Sequence, residues 1–290
     1  MGAYKPFSID IDGLELKAQS EGMSKDGLYI DWATGITGWF ESPPAKVSMT
    51  ERGQGHGSFD IPDEAVLFSA RTAVIGVVAS AIDSDIAAAL RRNLLSRTSR
   101  IVRVTVRDGE EETFAHGYIT VKWTNSRLDH LQAGEITFVG ANPRRYSTAA
   151  RTGYMAASGT TDGGGLIYGA GQVLHWPLKW GEQAPRENIC TVQNRGTATA
   201  YPVITLSGDL EAAAAITGDG CELVYTQPVY TGSPVVLDCL SRIATINGVD
   251  VTRSLSSRTF PSVLPGNSLT LVLGASGTGS ASVELRDTYI

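Results

Sequence analysis

Residues 235–252 read VVLDCLSRIATINGVDVT. A short apolar run, 235–238, stops at an aspartate. The Asn247-Gly248 pair further on suits a two-residue hairpin turn, because both residues tolerate positive φ. The surrounding sequence has the same texture: candidate strands at 203–207, 222–226, 269–273 and 281–285 are short and are separated by Gly, Pro, Asn or Ser. The alanine run at 212–215 is too short to make a helix. Regular short strands that carry their own turn chemistry predict an antiparallel β-sandwich for this half. Upstream, LHWPLKW puts Leu174, Trp176, Leu178 and Trp180 on one face of a strand, and Pro177, which has no ladder donor, makes it an edge or a bulge.

The first half is also strand-rich. Ile9 and Ile11 alternate with Asp10 and Asp12, Gly13 follows, and Leu14 and Leu16 flank Glu15, so a hairpin turning at Asp12-Gly13 is expected. Further strands are expected over 66–79, 101–107, 115–123 and 135–139, with Val102, Val104 and Val106 sharing a face. One segment has helical spacing. In DSDIAAALRRNLLS, Asp83 or Ser84 can cap the free amides, and Ile86, Leu90 and Leu94 form a stripe that should lie on a sheet. After Tyr146 the chain turns to RTGYMAASGTTDGGG, the composition of a linker, which divides it into residues 1–150 and 151–290. The fold class is therefore mainly β: a β-rich first domain with one helix, then a β-sandwich.

Composition narrows the function. The chain has 290 residues, 32 of them glycine, and 24 Lys and Arg stand against 30 Asp and Glu for a net charge of −6. Each half carries a modest acidic excess, so neither is a basic nucleic-acid module. The N-terminus MGAYKPFSIDIDG lacks a basic stretch followed by an apolar one, and no run of 18 apolar residues occurs, so neither a signal peptide nor a membrane span is expected. Cys190, Cys221 and Cys239 include no C-x-x-C pair and read as buried small hydrophobes.

A search for chemistry yields little. G-x-S-x-G, H-E-x-x-H, a P-loop and an EF-hand loop are missing, and His56, His116, His130 and His175 are not at metal-ligand spacing. No catalytic residue, metal or cofactor is expected. GQGHGSFD would let His56 approach a ligand, but a loop that orders against a neighbouring subunit is the better account. Arg91, Arg92, Arg97 and Arg100, followed by Arg103 and Arg107, form a basic face next to the acidic run 108–112, so a solvated or inter-subunit face is preferred to a phosphate site. Trp176 and Trp180 suit a sugar platform, yet their spacing reads as core. Asp162, Asp209 and Asp219 read as turn residues.

Two sets of motifs carry a family resemblance. NRGTATAYPVITLSGD, VVLDCLSRIATINGVDVT and FPSVLPGNSLTLVLG together resemble the C-terminal domain of siphophage distal tail proteins. The pattern falls on Asn194, Gly196, Pro202, Gly208, Asp238, Asn247, Gly248, Leu264, Pro265, Gly266 and Asn267. FVGANPRRYS is similar to the family's Asp-Pro-Arg-x-Tyr turn at the end of the first domain, with Asn142 standing for the Asp, followed by Pro143, Arg144 and Tyr146. GWFESPPAK, residues 38–46, resembles the early part of that domain.

The resemblance implies a first domain that assembles into a homo-hexameric ring at the end of the tail tube, and a galectin-like sandwich beyond it. Implied partners are the tail tube protein and tail-tip or baseplate proteins. The implied location is the virion, after synthesis in the host cytoplasm. The loop and the basic face themselves make Arg91, Arg92, Arg97, Arg100 and His56 the candidate subunit-interface residues. Host glycan binding is not indicated, since a galectin-like fold does not bring a sugar site with it. The alternative is a carbohydrate-binding β-sandwich module that recognises a cell-surface glycan.

Overall fold

A computed structural model describes residues 7–18, 26–59, 66–124, 131–157 and 187–290. The chain forms two compact units, residues 1–149 with 288–290, and residues 150–287. Trp176, Trp180, His130, His175, Pro177 and Asp162 lie outside the described residues.

The first unit is built from β1 (Ser8–Ile11), β2 (Leu14–Ala18), β3 (Gly27–Ile30), β4 (Ile36–Thr37), β5 (Arg71–Ser80), α1 (Ser84–Leu95), β6 (Val102–Asp108), β7 (Glu111–Trp123), β8 (Leu131–Gly140) and the start of β9 (Arg145–Ala156). Pairing runs β1-β2-β3-β5-β8-β7-β6 and returns to β1, closing a seven-stranded barrel. Closure leaves the strands of the ring without a free edge, the hazard of an open sheet. β2 and β3 pair in parallel, and the other six neighbours are antiparallel.

Alternation fills the interior. Ile9, Ile11, Leu16, Ile75, Val77, Val102, Val104, Val106, Ile136 and Phe138 are all buried in one cluster; outside β5, whose second half is buried on both faces, their neighbours within the strands are more exposed. At the first hairpin Asp12 and Gly13 both have positive φ, and the Gly13 amide donates to Asp10 Oδ1 at 3.0 Å, so the Asp-Gly reading holds. Asp83 caps the helix by accepting from the Asp85 amide at 2.7 Å. Leu94 enters the barrel core and Leu90 partly does, but Ile86 is exposed and Ala87 is buried in its place. The inward stripe is therefore Ala87, Leu90 and Leu94.

Other differences follow from context that one strand cannot show. The strand expected over 66–79 begins only at Arg71, and Val66 and Leu67 before it are exposed. The linker expected after Tyr146 is instead β9 as far as Ala156. Its residues look like loop composition because the strand is half-exposed along most of its length.

The second unit has two sheets. One runs β16-β15-β14-β11-β19, made of β11 (Val203–Ser207), β14 (Val235–Asp238), β15 (Ile243–Ile246), β16 (Val249–Asp250) and β19 (Ser280–Tyr289). The other runs β10-β18-β12-β13-β17, made of β10 (Ile189–Gln193), β12 (Ala214–Gly218), β13 (Cys221–Tyr225), β17 (Leu255–Thr259) and β18 (Ser268–Gly274). Pairing within both is antiparallel, and a single apolar cluster including Ile204, Leu206, Leu223, Leu237, Leu271 and Val283 forms the core. This is the expected sandwich. Residues 214–218, left out of the expected strands, pair on both sides as β12, and β10 and β17 were not visible in the sequence pattern. The three cysteines are buried free thiols in the same core, and burial pushes their pKa values up.

Candidate assembly site

Between β4 and β5 the chain leaves the barrel and returns. Residues 43–59 and 66–69 form an irregular antiparallel arm with bridges at Ala45–Phe68 and Glu51–Ser58. Its backbone bonds are mostly internal: Lys46 N–H to Leu67 O, Ser69 N–H to Pro44 O, Arg52 N–H to Gly57 O and Phe59 N–H to Thr50 O. Gly55 and Gly57 have positive φ and open space around them, which is what a thin turning tip needs. His56 sits there, exposed. Met49, Phe59 and Leu67 are 60–65% exposed, and Arg52 lies over the Phe59 ring at 5.7 Å. An arm this short that keeps large apolar side chains in water has the character of an association element.

The base of the arm is gripped by a buried cation. Arg71, at the first position of β5, is fully buried. Its Nε donates to Pro143 O at 2.8 Å, and its Nη1 to Gly38 O at 3.0 Å, Trp39 O at 2.7 Å and Glu41 O at 2.8 Å. One nitrogen with two hydrogens serves three carbonyls, so those bonds are shared. Burial, then the nearby Arg145 charge, lower the Arg71 pKa to about 10, while Glu41 opposes them. It stays charged at neutral pH. Gly38 is required here, since its φ is +76° and a Cβ would lie 2.1 Å from Thr72 O.

The turn after β8 completes the grip. Asn142 Oδ1 accepts the Arg144 amide at 3.1 Å, and its Nδ2 donates to the Tyr146 hydroxyl at 2.9 Å. An Asp at this position would accept from the Tyr146 hydroxyl instead, so the turn accommodates either residue. Pro143 offers its carbonyl to Arg71. Arg145 is buried, with its guanidinium 5.5 Å from the Phe40 ring and 5.6 Å from the Tyr289 ring. Thr113 Oγ1 accepts from Trp39 Nε1 at 3.2 Å and from Arg145 Nη1 at 3.4 Å. Pattern reading could not find Arg71, because a lone Arg opening an apolar strand carries no motif.

The basic face is more occupied than its sequence implies. Arg91 donates to Gln132 Oε1 at 2.6 Å. Arg97 donates to Ile11 O, Asn93 O and Asp12 O, and Arg100 pairs with the Asp12 carboxylate. Arg92 is exposed in the last turn of α1. Arg107 meets Glu112 across the β6–β7 hairpin of its own chain, so that acidic neighbour is already engaged within the molecule. The Thr148 hydroxyl, then Arg107, hold the Glu112 carboxyl below its usual range against the opposing effect of burial. Arg103 stacks 3.8 Å from the Phe114 ring centre. A groove of about 510 Å³ runs over this outer face, with Asp10 and Glu15 on the β1–β2 side, Arg103, Thr105 and Arg107 along β6, and Glu112 on β7.

In the second unit one group of family-motif residues, around Asn194, converges on one corner, and the others sit at separate turns. Asn194 is fully buried: its amide donates to Ala198 O at 2.8 Å and Val263 O at 3.0 Å, and its Oδ1 accepts the Gly196 amide at 2.9 Å. Its main chain bonds Asn267 O and Gly266 N–H, so Leu264-Pro265-Gly266-Asn267 folds directly onto it. Elsewhere, Asp238 accepts from the Leu240 and Ser241 amides, Pro202 O accepts the Cys239 amide, and Asn247 and Gly248 both have positive φ. Gly208 also has positive φ, and a Cβ there would lie 2.8 Å from Gly279 Cα. Asp209 Oδ1 accepts the Thr231 amide as a turn residue. Leu264 is exposed.

No protein-family model matches the sequence, and a comparison with curated proteins finds no relative. Solved structures do match. The SPP1 Dit protein, presented as a paradigm of the hub adsorption apparatus in Gram-positive-infecting phages, aligns over 99% of this chain and 100% of its own at TM-score 0.62 and 12% identity. The fold is that of SPP1 Dit. Two structures of the phage p2 baseplate in its activated conformation, one with Ca and one with Sr, align at TM-scores 0.53 and 0.52 with 9% and 8% identity. They cover 98% and 97% of this chain and 98% of theirs. The resemblance to distal tail proteins therefore holds as a likeness of fold across both units, as it does with SPP1 Dit.

Proposed function

We propose that this chain is a structural virion protein, a distal tail protein that forms a hexameric ring joining the tail tube to the tail tip or baseplate of a long-tailed, non-contractile phage. The observation that carries this reading is the end-to-end match to SPP1 Dit, covering 99% and 100% of the two chains, so that both units recur in the same order. The projecting arm supports it, since exposed apolar side chains held on a fixed base suit association with another copy. The proposed role is mechanical and uses no catalytic step or cofactor. Residues 1–150 form the ring in this reading, and residues 151–290 the outward domain.

Light scattering on the full-length chain at several concentrations tests the proposal. Six copies of a 30.8 kDa chain form a discrete species of about 185 kDa. Closure matters more than association, because heterologous contacts that fail to close give filaments of indefinite mass. Adding the tail tube protein should place the ring at the end of tubes seen by electron microscopy. A chain that stays monomeric with and without tube protein, and is retained by polysaccharide, would overturn the reading in favour of a glycan-binding module.

A further inference from the structure

The arm and the groove belong to the same unit, and their charges are complementary. The groove is divided: Asp10 and Glu15 on the β1–β2 hairpin make an acidic wall, while Arg103, two residues from Thr105 on the neighbouring β6, supplies a cation. The arm carries Lys46, Glu51 and Arg52, all exposed, and among the described residues none of the three is in an ion pair. The arm's base is fixed by the four carbonyl bonds of Arg71, so the arm is presented in a defined direction. Its tip is narrow, with glycine at 53, 55 and 57 and nothing within 4 Å of where their Cβ atoms would lie. Burying its exposed Met49 and Phe59 supplies an apolar contribution that charge pairing alone lacks.

We propose that the arm of one copy, centred on residues 46–59, lies in the charge-divided groove of a second copy, with Lys46 and Arg52 toward Asp10 and Glu15, and Glu51 toward Arg103. The inference rests on the ring reading above and names its contact. Such a contact is heterologous: each copy uses its arm on one neighbour and its groove on the other. Repetition therefore closes a ring when the rotation divides a circle. Polar rim pairs of this kind set register and partner orientation while apolar anchors supply most of the affinity.

The experiment uses full-length chain with Gly53→Cys on the tip and Thr105→Cys in the groove, treated with a short bis-maleimide. The native cysteines are buried, so the two introduced thiols are the reactive ones. The double variant is expected to give a ladder of covalent multimers on a denaturing gel ending at the ring number, and each single variant to remain a monomer. In parallel, Glu15→Arg or Arg52→Glu alone should weaken assembly about tenfold, and the two together should restore it. A ring by light scattering with no ladder, or an internally linked monomer, overturns this inference and leaves the ring reading standing. Reversals that leave assembly unchanged also overturn it. A wild-type chain that never assembles overturns both.

Discussion

The two units handle buried polarity in opposite ways. The first closes a barrel whose interior is apolar and then buries two guanidinium groups, Arg71 and Arg145, beside it. The second stacks two sheets over an apolar core and buries Asn194, which ties its own loop to residues 263–267, and Asp287, held by Arg151 at 2.9 and 3.2 Å and by the Arg195 amide at 2.8 Å. A buried cation that binds four carbonyls from two stretches, 38–41 and 143, fixes segments far apart in sequence. A buried neutral amide, Asn194, also joins distant segments, but without the cost of dehydrating a charge. The first solution suits a unit that must present an arm, and the second a unit built from hairpins.

Arg71→Met is the severest way to test that contrast. It leaves four carbonyls without a charged donor and should lower the first unit's stability by about 4 kcal/mol, measured as a shift in its calorimetric transition while the second unit's transition stays in place. If both transitions move together, the units are not energetically separate and the comparison fails. Asn194→Ala should act on the other side, lowering only the second unit's transition by about 3 kcal/mol through three lost buried hydrogen bonds.

Asp287 sharpens the contrast through pH. Burial alone raises its pKa, but the hydrogen bonds from Arg151 and the Arg195 amide outweigh burial and hold it below the usual carboxylate value. A depressed folded-state pKa means that the contribution is fully present above the unfolded carboxylate pKa of about 3.9 and is lost as pH falls through the folded value. Denaturation of the second unit from pH 6 downward should show falling stability in the wild type and a flatter profile in Asp287→Asn. At pH 6 that variant should be less stable by about 2 kcal/mol. The mildest change is Asp83→Ala, which removes the cap of α1 and should cost the first unit about 1 kcal/mol in the same calorimetric assay.

Local chemistry was legible from the residues alone. Asp12-Gly13 and Asn247-Gly248 turn where expected, because positive φ at both positions is a property of those dipeptides. Val102, Val104 and Val106 face one way because alternation is a property of strands. The motif positions Asn194, Gly196 and Leu264 to Asn267 were named separately, and the structure joins all but the exposed Leu264 side chain into one hydrogen-bonded corner. Where a turn or a strand face depends only on the residues in it, the amino-acid sequence was enough.

Tertiary structure decided the rest. Closure of the barrel depends on β1 meeting β6 and on β5 reaching β8, which are pairings between segments far apart in the chain. The half-exposed β9 has a linker's composition and becomes a strand through pairing with its neighbours. Arg100 and Arg107 read as a free basic face until folding brought Asp12 and Glu112 to them. Arg71 shows the limit most plainly: an arginine at the head of an apolar strand has no sequence signature, and its role exists only because Gly38, Trp39, Glu41 and Pro143 turn their carbonyls toward one buried charge.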